Sequence, residues 1–445
     1  MNIRYLLRGL SPLLLALLLS CGGGGDAGSG LAGSVASAGA GGSTSTIASA
    51  GAPLESAGGA DSGGAGSDSG STTTASNGDG SGVGSGGTGV STADAATSVG
   101  AVDGMGSIIV NGLRYNVDNA AMRLSDATEL QIGMSIAVTG PVDGSFSNGV
   151  ATRLTSAADL RGPVTFVDPA AGTFVVMGTL VTLDDATVWA DLPGVASLAV
   201  GANVQVWGLP ASPGVLRATR VQKQVSNTTP IVTGTVQQLD AASRTFMLGN
   251  LSVAYGSANL AGGLGAGGLA NEMIVRVRAD AQPTAGLLAA TQVEAWYPIP
   301  TVNGLPVQLE GVITNYTSLS AFRVLGQSVD ASGAKVTGGA ASKINNDVKV
   351  QVGGTLTHGV LVASELKIRH IPGAGALPSY TLIGSIGNYV SPASFRVRGQ
   401  LVDASGPGVV FVNGTQASLA NSVNVTVLGT RIVNGALIAD QVSFN

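Results

Sequence analysis

One cysteine in 445 residues excludes an internal disulfide, so the fold must be held by burial alone. Histidine is nearly missing too. His358 and His370 stand twelve residues apart with no cysteine or carboxylate cluster beside them, a spacing that matches no usual zinc pattern. No Gly-x-Ser-x-Gly elbow occurs beyond residue 99, and the adjacent Asp184 and Asp185 would point to opposite faces of a strand, so a catalytic carboxylate pair is lacking. Basic surplus is absent as well: beyond residue 99 there are 20 acids against 19 bases, which leaves no patch for binding nucleic acid by counterion release. Helical periodicity is scarce after the first twenty residues.

What is present begins at the N-terminus. Arg4 and Arg8 precede an apolar run, Leu10 to Leu19, that is too short to span a bilayer, and Leu18-Leu19-Ser20-Cys21 follows. The segment resembles a bacterial lipoprotein signal, residues 1–20, whose cysteine becomes the lipidated N-terminus. That resemblance implies a membrane partner through lipid on Cys21, and Gly22 in place of an aspartate implies the outer membrane. Residues 22–99 are mostly Gly, Ser, Ala and Thr, with six acids, one proline, no aromatic residue and no Lys or Arg. Such a segment buries too little to offset its ordering entropy and is expected to be a disordered linker spanning about 50 Å. Its Gly84-Ser85-Gly86-Gly87-Thr88-Gly89 run has neither the strand nor the helix that a phosphate cradle needs.

From residue 100 the chain repeats itself. Each copy opens with Gly-x-(Val/Ile) at Gly100, Gly162, Gly234, Gly311 and Gly384, spaced 62, 72, 77 and 73 residues apart. A strand of the pattern aromatic-x-apolar-x-Gly comes next, as in Phe174-Val176-Gly178, Phe322-Val324-Gly326 and Phe395-Val397-Gly399; in the third copy Phe246-Leu248-Gly249 is one residue tighter. Alternating strands follow at Ile136-Val138-Gly140, Val204-Val206-Gly208, Val275-Val277, Val348-Val350 and Val425-Val427-Gly429. Closing strands start at the turn glycines Gly214, Gly286, Gly359 and Gly435. About five short strands per copy predict an all-β chain of five tandem small five-stranded OB-like barrels, since closure removes the exposed edges of an open sheet. The expected modules are 100–160, 161–224, 232–296, 309–370 and 382–445, with Pro230, Pro298, Pro300, Pro372 and Pro378 stiffening the joints.

Asp103-Gly104-Met105-Gly106-Ser107-Ile108-Ile109-Val110-Asn111-Gly112 together with Gly133-Met134-Ser135-Ile136-Ala137-Val138-Thr139-Gly140 resembles the bacterial domain-of-unknown-function family 5666, over 100–445. The resemblance implies tandem copies in envelope lipoproteins and a small OB-like barrel, and it brings no catalytic residues. Copies three and four depart most, with Ala279 where glycine is expected and Val352-Gly353 extending a strand.

Val329-Asp330-Ala331-Ser332-Gly333 and Val402-Asp403-Ala404-Ser405-Gly406 are read as turns in which Asp bonds the backbone and Gly takes positive φ. Asp143-Gly144-Ser145-Phe146-Ser147-Asn148 is a hairpin turn without the acidic density of a calcium loop, and Gly265-Ala266-Gly267-Gly268-Leu269-Ala270 is a loop insertion. No cofactor and no metal are expected. The binding candidates are aromatic: Trp207 alternates with Val204 and Val206, so its indole points out of the barrel, either to stack on a ligand or to contact a neighbouring copy. Trp189, Trp296 and Tyr297 are similar candidates. The expected function is a non-enzymatic envelope protein displaying tandem repeats for adhesion, envelope organisation or ligand binding, with a glycan or protein partner. A carbohydrate-binding or carbohydrate-processing role and an OB-like single-stranded nucleic-acid role are the alternatives.

Overall fold

A computed structural model describes residues 93–224, 229–264, 268–373 and 378–445. The signal, Cys21, the Gly84–Gly89 run and residues 265–267 lie outside the described residues. The chain is all-β: strands dominate, and single 3-10 turns at Val195–Ser197, Ala341–Lys343 and Gln416–Ser418 precede the fourth strand in three of the units.

In the first unit β1 (Ala93–Met105) pairs antiparallel with β2 (Ile108–Val110), which pairs with β3 (Leu113–Asn116). Parallel ladders join β3 to β6 (Asn148–Val150) and β4 (Ala121–Leu124) to β7 (Arg153–Ser156). The strand between, β5 (Ser135–Val142), runs antiparallel to β6 and β7 and returns to β1, which closes a five-stranded barrel. The same pairing circuit recurs from the opening strands Leu160–Asp168, Ile231–Asp240, Pro306–Ser318 and Tyr380–Ser391. Each interior is filled by alternate residues of its strands, for example Phe174, Val176, Val204, Val206 and Leu216, all fully buried.

The repeated glycines have steric reasons. A Cβ on the opening glycine would meet the side chain at the tip of the following hairpin: Asn111 over Gly100, Met177 over Gly162, Leu325 over Gly311 and Arg398 over Gly384. Those tip residues all have φ between 47° and 56° and precede a glycine at positive φ, the two-residue turn that matches strand twist. In the third unit the turn is Gly249-Asn250, with positive φ on its first residue only, which explains the tighter spacing. A second glycine sits where the fourth strand bulges against the fifth: Cβ atoms on Gly140, Gly354 and Gly429 would lie 2.0, 2.1 and 2.4 Å from carbonyl oxygens. Ala279, at this place in the third unit, cannot approach so closely; the fourth strand stops at Arg278 and the fifth breaks into Leu287–Ala289 and Gln292–Ala295. The fourth unit, by contrast, pairs Lys349–Thr357 with Val360–His370 along their length, with its bulge at Gly353/Gly354.

The second residue after each opening glycine has a backbone task. Val102, Val164, Val236, Ile313 and Ile386 each exchange two hydrogen bonds of 2.8 to 3.0 Å with the turn that leads into the fourth strand. This fivefold recurrence fixes why that position is never a proline.

Three sequence expectations need correction. β1 begins at Ala93, so residues 93–99 are ladder rather than linker: Ala96 to Ala101 pair with β5, and Thr97–Val99 run parallel to Val307–Leu309 of the fourth unit. Ala, Thr and Ser fit there because one face packs into the first unit's own core and the other against the fourth unit, so a composition typical of linkers is the one that packs. Gly333 and Gly406 do not take positive φ, although the aspartate half of that reading holds, with Asp330 and Asp403 accepting from the Ser332 and Ser405 amides at 2.9 Å. Nor are the units spaced apart by proline joints. β1 pairs parallel with the opening strands of the fourth and fifth units, the second and third opening strands pair at Leu160 and Val232, and all described residues belong to one compact unit.

Candidate functional site

The four aromatic candidates are buried, not displayed. Trp207, Trp189, Trp296 and Tyr297 are 1%, 9%, 4% and 7% exposed. Trp207 does point out of its own barrel, and it enters a cluster with Met134, Ala158 and Ile231, drawn from the first three units. Strand alternation located the outward face; the neighbours that cover it come from other units, which alternation does not reveal. Trp189 packs into the core shared by units two and three. Trp296 and Tyr297 lie with ring centroids 4.6 Å apart and reach into the joint between units one and two.

At that joint Asp159, wholly buried, accepts four hydrogen bonds. They come from Ser135 Oγ at 2.6 Å, the Gly208 amide at 2.8 Å, Arg276 Nη2 at 2.9 Å and Trp296 Nε1 at 2.6 Å. Arg276 lies 5.1 Å over the Tyr297 ring and also donates to the Ala158 carbonyl. Burial alone would lower its pKa, but Tyr297, Asp159 and Glu294 raise it, so the guanidinium stays charged. Nearby, Asp126 receives Arg161 at 2.7 Å and Arg278 at 2.7 and 2.9 Å. Burial pushes the Asp126 carboxyl up, and these two arginines more than offset it.

A second charged cluster joins units one, two and four. Glu310 accepts from the Ala101 amide at 3.1 Å and faces Lys349 Nζ at 3.0 Å; Arg369 pairs with Asp103 at 3.0 Å. Asp184 sits 3.4 Å from Arg217 and 3.8 Å from Lys349, while Asp185 is exposed; both lie in the turn after the Thr179–Thr182 strand, so strand alternation is not what separates them. Burial holds the Asp103 carboxyl up at about 6, with the Glu310 charge adding to it, although Arg369 and Lys349 pull the other way. Glu310 is also buried, yet Lys349 and Arg369 bring it below the usual carboxylate range. A cavity of about 150 Å³ borders this cluster at Lys349, Arg369 and His370. Burial lowers the His370 pKa, and its Nδ1 has no partner. His358 occupies a hairpin turn at φ 49°.

A different cavity, of about 230 Å³, lies where units one, two and five meet. Arg220, Arg396 and Arg398 line it together with Glu129. Arg220 is 5% exposed; it donates to the Ile132 carbonyl at 3.1 Å and to the Gln131 side chain, and its Nε has no partner. These groups place no nucleophile beside a base, and at the charged joints the Ser135 hydroxyl, 2.6 Å from Asp159, is wholly enclosed. Among the described residues no three His, Cys, Asp or Glu converge as a metal site would need. The Asp143 loop is a turn, its carboxylate accepting from Ser145, Ser147 and Asn148.

Sequence reading missed the buried charges entirely. Their partners lie up to 266 positions away, so no local motif marks them. The one available signal was a charged residue on a strand position flanked by apolar ones, as in Val275-Arg276-Val277 and Leu309-Glu310-Gly311.

Comparison with known proteins finds no curated protein that matches the chain. A family model described as "Domain of unknown function (DUF5666)" matches twice, over residues 161–222 and 310–367, the second and fourth of the recurring circuits. Two segments of the chain, related to each other by the same strand circuit, therefore match the DUF5666 domain.

Proposed function

We propose that this chain is a lipid-anchored envelope protein in which five OB-like barrels, fused into one block, serve as a non-catalytic scaffold for binding or display. The circuit first–second–third–fifth–fourth–first, with third and fifth strands parallel, is the order of an OB barrel, and it supports reading all five units as that fold. The observation that carries the scaffold reading is the pair of buried charge clusters at the joints. Asp159, with four hydrogen bonds, and Glu310, bonded to the Ala101 amide and paired with Lys349, hold units together, where a catalytic carboxylate would face a cleft.

The Cys21 anchor and the 22–92 segment supply the tether in this reading, which puts the block on the outer membrane. Carbohydrate and single-strand binding lose the four aromatic candidates named for them, which are enclosed, although Phe166 is exposed. Calorimetry on the full chain tests the scaffold: a fused block unfolds in one transition, whereas five independent transitions would overturn it. Palmitate labelling with fractionation tests the anchor, and equal labelling of wild type and Cys21→Ser would defeat it.

A further inference from the structure

We propose that the cavity between units one, two and five is a binding site for a small oxyanion, a phosphate or carboxylate group, held by Arg220, Arg396 and Arg398. Among the charged residues that are nearly enclosed, Asp103, Asp159, Glu310, Arg217, Arg276 and Lys349 each have an opposite charge within 4.0 Å. Arg220 does not. Its guanidinium touches only neutral oxygens, and Nε is left without a partner. A buried charge without a counter-ion is costly to keep, and a bound anion would supply the missing partner. Burial accordingly draws Arg220 down to about 10, with Asp191 and Glu129 too distant to form an ion pair.

The same cavity collects two further guanidinium groups from one hairpin of the fifth unit. Arg398 takes the tip position that Asn111, Met177 and Leu325 fill elsewhere. Those three are buried side chains; Arg398 is exposed, at φ 52°. Its Nε donates to the Ile383 carbonyl at 3.2 Å, and Arg396 donates to the Gly399 carbonyl, so both stems are positioned while guanidinium N–H groups remain free. Three arginines against the single carboxylate of Glu129 leave the cavity net positive. Planar forks of this kind recognise carboxylate and phosphate two bonds at a time. The volume, about 230 Å³, falls short of the roughly 300–1,000 Å³ of pockets for larger ligands, so the fit is to a small group or one end of a longer molecule.

Titration calorimetry of the full chain at low salt, with inorganic phosphate, glucuronate and neutral glucose as probes, tests this. Saturable binding of phosphate or glucuronate but not glucose is expected, and the preferred anion identifies the source. Arg396→Gln and Arg398→Gln together, both on the surface and safe for folding, should weaken binding at least about tenfold. Arg220→Lys should weaken it while the melting point tells whether the fold survives. Absence of saturable anion binding, or equal affinity in the Arg396→Gln/Arg398→Gln protein, would overturn the assignment.

Discussion

Asp159 and Trp207 show what a single side chain does between units. Asp159→Ala would leave Arg276 with only the partly exposed Glu294, at 3.2 Å, as counter-charge and strip the Trp296 indole of its acceptor. A loss of about 3–5 kcal/mol is expected, measured by denaturant unfolding of the full chain. Trp207→Ala, at 1% exposure, should cost a similar amount, about 3–5 kcal/mol, through the cavity it leaves. At Gly354 the argument is steric: a methyl group would sit 2.1 Å from the Val362 carbonyl oxygen, so Gly354→Ala should destabilise by about 1–3 kcal/mol. The same change at Gly333, where nothing approaches within 4 Å and φ is ordinary, should be nearly silent.

Among elements, β1 is the one whose own sequence says least. Its outer part, Ala93 to Val99, is built of the small residues that also make up the preceding segment, yet it forms ladders on both sides. A chain beginning at Gly100 should therefore lose β5's partner and the parallel contact to Val307–Leu309. Its expected behaviour is aggregation or a melting point lowered by many degrees, while a chain beginning at Ala93 melts like the longest form. The interior strands were far more legible. Opening glycines, period-two alternation and turn glycines marked them because each reflects a contact inside one unit. Gly214, Gly286, Gly359 and Gly435, read as turn glycines, do take φ of 75° to 79°. Where a residue answers to another unit, as Thr97, Arg276 and Trp207 do, its local pattern is silent about the partner.

For the whole molecule, pH acts through the enclosed carboxyls. Asp103, held up at about 6, takes up a proton in the folded state between pH 7 and 5 that the unfolded chain does not, so its contribution stabilises as pH falls through that window. Asp126, Asp184 and Glu310 are shifted the other way. Their stabilisation is fully present above the unfolded carboxylate range and disappears as pH drops below about 4. The melting temperature should hold or rise slightly from pH 7 to 5 and then collapse. His370, whose pKa burial lowers, loses stability over the same window, so the test is read in a His370→Gln background, where a monotonic fall from pH 7 would contradict the Asp103 assignment. Salt should matter little, because these pairs are shielded from the mobile ions that screen surface charges.

The pairing of β1 with strands that come more than two hundred residues later sets the order of events during synthesis. The earliest strand of the block to leave the ribosome waits, with the Ala101 amide and the Asp103 carboxylate unmatched, until Glu310 and Arg369 are made. Such remote closure is slow. Later units can each pair their own strands as they emerge, but the keystone is set last, and a chain stalled before residue 370 would hold β1 without the Arg369 partner of Asp103.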